Sequence, residues 1–401
     1  LMPTSPRDTP GLPPLALYVH VPWCVRKCPY CDFNSHGVGR GAALPEAEYL
    51  AALLADLDAD LPLVAGRPLI SIFIGGGTPS LMSAEFYARF FDALAQRLPL
   101  AEDIEITLEA NPGTLERGRF QGYRQAGINR LSLGVQSFQS AQLSALGRIH
   151  SGDDAVAAVQ EARSAGFDNL NLDLMHGLPD QTPALALADL ERALALEPEH
   201  LSWYQLTLEP NTEFHSHPPV LPHEEVLWDI QDLGHERLEA AGMVRYEISA
   251  YARPGRRSRH NLNYWRFGDY LGIGAGSHGK LSVAGCESGR LHIERRWKTR
   301  QPEAYLRRRE DPRGFVAGSN EVSDAELPLE FAMNALRLVE GVAMADWAAH
   351  TGRPPRLLGE RLAAARKKGL LVEDAQRLQA SPQGLLFLNE LLALVSEAGT
   401  E

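Results

Sequence analysis

The sequence predicts an α/β protein: a partial (β/α)6 barrel with a small α+β, winged-helix-like module at its C-terminus. Three observations predict it. Apolar runs of strand length alternate with helix-period segments six times before residue 243. Polar residues with chemical potential, Glu109, Gln136 and Asp173, fall at the ends of those strands, where a curved α/β sheet assembles its site. From Ser323 the pattern changes to closely spaced helices with a short hairpin. An open doubly wound sheet also binds ligands at strand C-termini, and it stands as the alternative to the barrel.

The elements follow in order. Residues 15–21 read as the first strand, followed by a cysteine-rich loop and a helix over 45–63. A buried strand over 69–74 ends in Gly75-Gly76-Gly77, and Ser83 opens the next helix with Glu85 in its first turn. Strands over 103–110, 130–136, 169–175 and 201–208 alternate with helices over 114–126, around Ala141, and over 153–165, 183–196 and 223–241. Such alternation requires crossovers and so a parallel sheet. Residues 244–251 form a further strand, and 253–280 an irregular stretch rich in Gly, Arg, Asn and aromatics. Helices over 325–338, 344–350 and 356–368, strands over 370–372 and 378–380, and a last helix to 395 complete the chain. The expected organisation is a flexible N-terminus (1–14), the barrel (15–242), a linking region (243–322) and the C-terminal module (323–401).

At 401 residues the chain exceeds one ordinary core. Its net charge of −12 disfavours nucleic acid or an anionic membrane as a partner over the whole surface, while leaving room for local basic patches. In the C-terminal module acidic residues outnumber basic ones, so packing or partner contact is expected there, not DNA binding. No apolar run approaches the ~20 residues of a membrane span. The N-terminus has no basic start and no apolar stretch, unlike a secretory signal. Three of the four cysteines lie between positions 24 and 31, and Cys286 is a distant thiol with no site role. That clustering points to a metal or redox site in a reducing, cytoplasmic compartment.

The loop reads Tyr18-Val-His-Val-Pro-Trp-Cys24-Val-Arg-Lys-Cys28-Pro-Tyr-Cys31-Asp-Phe33. Three thiolates can occupy three irons of a four-iron cubane and leave the fourth iron open to a small molecule. Arg26 and Lys27 favour deprotonated thiols. A zinc site of the three cysteines with His20 or His36 is the alternative.

Cys-x3-Cys-x2-Cys after a first strand, with Tyr30 just before the last cysteine, resembles the signature of radical SAM enzymes. The resemblance implies a 4Fe-4S cluster on Cys24, Cys28 and Cys31, with S-adenosylmethionine (SAM) chelating the open iron. It implies cleavage of SAM to a 5′-deoxyadenosyl radical on one-electron reduction by a donor such as a flavodoxin or ferredoxin. It implies SAM contacts from Tyr18, Tyr30, Gly76, Gly77, Thr78 and Glu109. Gln136, Arg148 and Asp173, with Asp173 in Asp-Leu-Met-His-Gly-Leu-Pro, are similar in order and spacing to the subfamily of oxygen-independent coproporphyrinogen III oxidase, where they contact SAM, in part a second molecule. Taken one at a time, each reads equally as a buried, paired polar residue.

Two branches of that subfamily compete. The oxidases decarboxylate porphyrinogen propionates, carry a fourth cysteine where Phe33 stands, and have a long extension before the first strand. HemW-type heme chaperones bind heme instead. His260-Asn261-Leu-Asn-Tyr264-Trp265 resembles their His-Asn-x-x-Tyr-Trp motif. A histidine can ligate heme iron and aromatics can pack on the macrocycle; a polar surface loop is the plainer reading. Arg253, Arg256, Arg257 and Arg259 are candidates for pairing with propionates. The resemblance therefore implies a heme carrier with heme-accepting partners, respiratory enzymes and peripheral membrane contact among the expectations. His176 is a candidate cavity residue, and His215, His217 and His223 a candidate metal cluster that also reads as solvated loop histidines.

Overall fold

The computed structural model describes residues 11–285 and 290–397. Cys286 and residues 1–10 of the expected flexible N-terminus lie outside the described residues. The main sheet has twelve strands. In chain order these are β1 (Leu15–Val21), β2 (Leu69–Gly76), β3 (Leu100–Ala110), β4 (Arg130–Gln136), β5 (Leu170–His176), β6 (His200–Gln205), β7 (Val244–Glu247), β8 (Ala250–Ala252), β9 (Asp269–Ile273), β10 (His278–Ala284), β11 (Leu291–Lys298) and β12 (Val316–Glu321). Across the sheet the order is β12-β11-β10-β9-β1-β2-β3-β4-β5-β6-β8-β7.

The run from β9 through β1 to β6 is parallel. The flanking strands pair antiparallel. Helices Glu46–Asp60, Ala84–Ala95, Phe120–Ala126, Gly152–Ser164, Pro183–Ala195 and Glu224–Ala240 follow the six expected strands. Local chemistry starts several of them. Ser83 accepts from Phe86 N–H, Ser151 and Asp154 form a reciprocal capping box, and Thr182 caps a helix that opens with Pro183. The expected helix over 114–126 breaks into Thr114–Arg117 and Phe120–Ala126 around Gly118, a poor helix former.

The sheet is open and strongly curled. Four strands separate β1 from β6, and a flat sheet would hold that pair roughly 24 Å apart. Yet Phe214 N–H, beyond β6, donates to Pro29 O in the loop after β1 at 3.0 Å. Strand alternation then sorts the side chains. Leu131, Leu133, Leu172 and Leu174 join the helix-covered core. Ser132, Gly134, Asp173, Ser202 and Tyr204 face the hollow.

The stretch expected to be irregular is ordered. Helix Arg259–Trp265, capped by Ser258, leads from β8 to β9, the seventh parallel strand. It lies across the hollow: Glu105 on β3 accepts from the Arg259 and His260 N–H groups. The strand expected over 244–251 is a hairpin, because Glu247 bends back to accept from the N–H and hydroxyl of Ser249. C-terminal helices Leu327–Ala335, Met344–Thr351, Pro355–Lys367, Pro382–Leu386 and Leu388–Glu397 pack on a second core. The expected hairpin over 370–380 reduces to one bridge, Leu371 to Ala380, because Arg377–Leu378 pairs instead with Val342–Ala343. No helix among the described residues is long and apolar enough to cross a membrane.

Candidate functional site

Cys24 ends a two-residue strand, Trp23–Cys24, which pairs in parallel with His36–Gly37 and closes the loop between them. Cys31 N–H donates to Cys28 O at 3.1 Å, which puts those two cysteines on one turn. All three thiols are free of disulfides and line one cavity of about 520 Å³, a size typical of small-molecule sites. Arg148 Nη1 lies 3.8 Å from Cys28 Sγ, and Lys27 Nζ donates to Phe33 O at 3.1 Å. Burial pushes the Cys24 thiol up, while a hydrogen bond from Ser35 and the charge of Lys27 oppose that. His20 is spoken for, with Nδ1 on Tyr18 OH at 2.9 Å and Nε2 on Asn34 O at 2.7 Å. His36 Nε2 is 3.0 Å from Asn34 Oδ1. Among the described residues no three His, Cys, Asp or Glu side chains converge on a single ion. A cubane spreads its cysteine sulfurs farther apart than the ligands of one ion. Three free thiols on one cationic loop, open to a cavity, fit such a cluster.

The glycines at the end of β2 serve the chain itself first. A Cβ on Gly77 would come within 2.4 Å of Trp23 O, and one on Gly76, at φ 121°, within 2.7 Å of Val21 O. Gly77 N–H donates to Val21 O and Thr78 N–H to Trp23 O, both at 2.7 Å. The turn thus presses against the base of the cysteine loop while Gly76, Gly77 and Thr78 line the cavity.

The cavity wall continues around the sheet. Glu109 accepts from Gly76 N–H at 3.3 Å and, among the described residues, from no other donor. Burial pushes its carboxyl up to about 8, and the like charge of Asp173 adds to that. Asp173 is also pushed up by burial, against hydrogen bonds led by Asn171. Gln136 sits at φ 67°, in the left-handed region, beside a bulge in β4. Its Oε1 accepts from Tyr204 OH at 2.9 Å. Strain of this kind gathers where a side chain must be aimed. Arg148 Nη2 donates to Asn111 Oδ1 at 2.8 Å and Gly134 O at 2.6 Å, which links the cysteine loop to the wall. Tyr30 packs on Phe214 at 6.3 Å, and exposed Phe33 forms part of the rim.

Of the aromatic motif, Asn261 and Trp265 line the far end of the same cavity. Tyr264 packs between Trp265 and Tyr270. His260 is buried, its Nδ1 2.9 Å from Ser71 Oγ and its ring against Phe73. Burial lowers it to about 3, with Arg130 adding to the effect. Tyr18 stacks on Phe73 behind the wall. None of the four arginines before His260 lines the cavity. Arg256 pairs with Asp168, Arg257 with Glu340 and Arg259 with Asp103, while Arg253 donates to Pro198 O. His176 stacks on Trp203 at 4.1 Å, and His215, His217 and His223 are exposed. Asn111, Tyr204, Glu247, Ser249 and Arg337 line the cavity without having been singled out from sequence. The alternation in Ser202-Trp203-Tyr204 was a signal for Tyr204. Nothing in the sequence marks Arg337.

Comparison with known proteins supplies relatives. A sequence profile of the radical SAM superfamily matches residues 18–192, and one of the HemN C-terminal domain matches residues 322–387. The chain is 50% identical over 383 residues to the heme chaperone HemW of Escherichia coli (strain K12), covering 96% of this chain and 98% of that one. It is 49% identical over 389 residues to the heme chaperone HemW of Haemophilus influenzae, with coverage of 96% and 98%. It is 35% identical over 403 residues to the mitochondrial radical S-adenosyl methionine domain-containing protein 1 of Bos taurus, with coverage of 97% and 88%. Among solved structures, coproporphyrinogen III oxidase (HemN) from Escherichia coli superposes with a TM-score of 0.79 at 22% identity, covering 97% of this chain and 91% of that one. That likeness concerns the fold.

Proposed function

Because the chain belongs to the radical SAM superfamily, in the family of the proteins named heme chaperone HemW, we propose that it binds a 4Fe-4S cluster, SAM and heme and passes heme to acceptor proteins. One observation carries the reading: a single cavity begins at three free thiols and ends at Asn261 and Trp265. In this reading Cys24, Cys28 and Cys31 hold the cluster. Gly76, Gly77, Thr78, Glu109, Gln136, Arg148 and Asp173, backed by Tyr18 and Tyr30, hold SAM.

When bound, the reduced cluster supplies one electron to SAM. The chain's own residues do the rest. An ammonium group docking against Glu109 would favour its ionised form, and in that desolvated wall the pairing is strong. Arg148 couples the Cys28 corner to Asn111 and the β4 backbone, so a ligand on that wall and the cysteine loop are held in register. Ser71 on Nδ1 leaves Nε2 of His260 as the nitrogen for heme iron, and the low basicity of the ring keeps it unprotonated. Ligation then requires helix Arg259–Trp265 to shift its first turn toward the cavity. A flavodoxin- or ferredoxin-type donor and heme acceptors, respiratory enzymes among them, complete the reading, with delivery from the cytoplasmic side at the membrane surface.

Anaerobic heme titration tests it, using wild type, C24A and H260A. Wild type is expected to give a saturable Soret band that H260A shifts or weakens, with iron content lost only in C24A. An unchanged band in H260A removes the ligand. SAM- and reductant-dependent turnover of coproporphyrinogen III by wild type would overturn the carrier reading.

A further inference from the structure

The far end of the cavity holds a second arginine, set against an indole ring. Its walls there are Asn261, Trp265, Glu247, Ser249 and Arg337. Arg337 lies just beyond helix Leu327–Ala335, so it reaches this wall from the C-terminal module. Its guanidinium sits 4.6 Å above the Trp265 ring, and its Nη2 pairs with Glu247 at 3.3 Å. Glu247 is already committed, accepting from the N–H and hydroxyl of Ser249 as well.

Two donors at this contact have no acceptor among the described residues. Arg337 Nε and Trp265 Nε1 are both buried and unpartnered. A buried N–H without a partner is costly, and native structures keep few of them. Here two occur on residues stacked against each other, both on the wall of one cavity. Glu247 engages Nη2 of the guanidinium, and Nε beside it is left without an acceptor. The group that fits a guanidinium edge beside an indole N–H is a carboxylate, which can accept from both at once. Arg256, Arg257 and Arg259, just before His260, are already paired elsewhere.

We propose that Arg337 and Trp265 form a carboxylate subsite that anchors one propionate of the bound heme. This rests on the heme reading above and assigns the anchoring cation to the C-terminal module.

The test titrates hemin and hemin dimethyl ester, whose propionates are masked, into the full chain and follows the Soret band. In R337Q hemin binding is expected to weaken about tenfold or more, the scale of one charge-assisted hydrogen bond, while ester binding stays at the wild-type level. W265F, which keeps a six-membered aromatic ring but loses the pyrrole ring with its N–H donor, is expected to change in the same sense by less. Ester binding serves as the folding control within each variant. Equal hemin affinity in R337Q and wild type overturns the subsite. So does an equal loss for hemin and ester, which signals general damage to the cavity. If wild type binds neither compound, the heme reading itself fails.

Discussion

The carboxyl of Glu109 accepts a hydrogen bond from Gly76 N–H at 3.3 Å and lies in the field of Asp173. Burial carries it up to about 8 from an ordinary 4.5. The sign of the stability effect follows by linkage. Between about pH 4.5 and 8 the unfolded chain ionises this group while the native chain holds its proton. The stabilising contribution is therefore complete below the unfolded value and is lost as pH rises through the folded one. Melting temperatures of SAM-free wild type and E109Q, measured from pH 5 to 9, should diverge steadily up to about pH 8 in favour of the variant. They should run parallel beyond that point. Parallel curves across the whole range would mean that the carboxyl is solvated and ionises normally. The position of Glu109 at a strand end is legible in the sequence. Its desolvation is not, because that depends on β2 and β5 closing over it.

At the scale of elements, the turn after β2 and the cysteine loop are one unit. Gly77→Ala would drive a methyl group to within 2.4 Å of Trp23 O, a backbone atom that cannot rotate away. The expected outcome is a displaced loop, seen as cluster iron and sulfide falling well below stoichiometry after anaerobic reconstitution. Gly359, in the interior of helix Pro355–Lys367, is the contrast, since a Cβ there meets nothing within 4 Å. Gly359→Ala should raise stability by about 0.5–1 kcal/mol and leave cluster content alone. Full iron loading in Gly77→Ala would show that the turn yields. The six βα units and the cysteine loop are legible because periodicity and spacing are local properties. Helix Arg259–Trp265 is not: its apolar period is weak, and its first turn is held by Glu105, some 155 residues earlier in the chain. The split of the 244–251 strand escapes for a similar reason, since one side chain, Glu247, makes the turn.

Taken whole, the molecule has a boundary near Ser323 in its sequence pattern, but its second core runs across that boundary. The second core joins Tyr246, Phe267, Leu291 and Ile293, from the sheet and its connections, to Leu327, Phe331, Trp347, Leu358 and Leu362 of the C-terminal helices. Trp347 is fully buried, edge-on to Phe331 at 5.3 Å, and Phe331 in turn meets Phe267 at 5.4 Å. Apolar contact therefore runs without a break from the module to the wall that carries the aromatic motif. Two elements that share a core have no separate interiors to lose, so they should melt together. Trp347→Ala removes a large, fully buried side chain from one end of that chain of rings, a change that costs about 3–5 kcal/mol in a packed interior. It should lower the temperature of one transition, with far-UV circular dichroism and cluster absorbance falling together under anaerobic conditions. An early helical transition that leaves cluster absorbance intact would show the module melting by itself. Arg337 would then keep its place at the cavity through Glu247, Trp265 and the Ile248 N–H, which donates to Arg337 O at 3.1 Å.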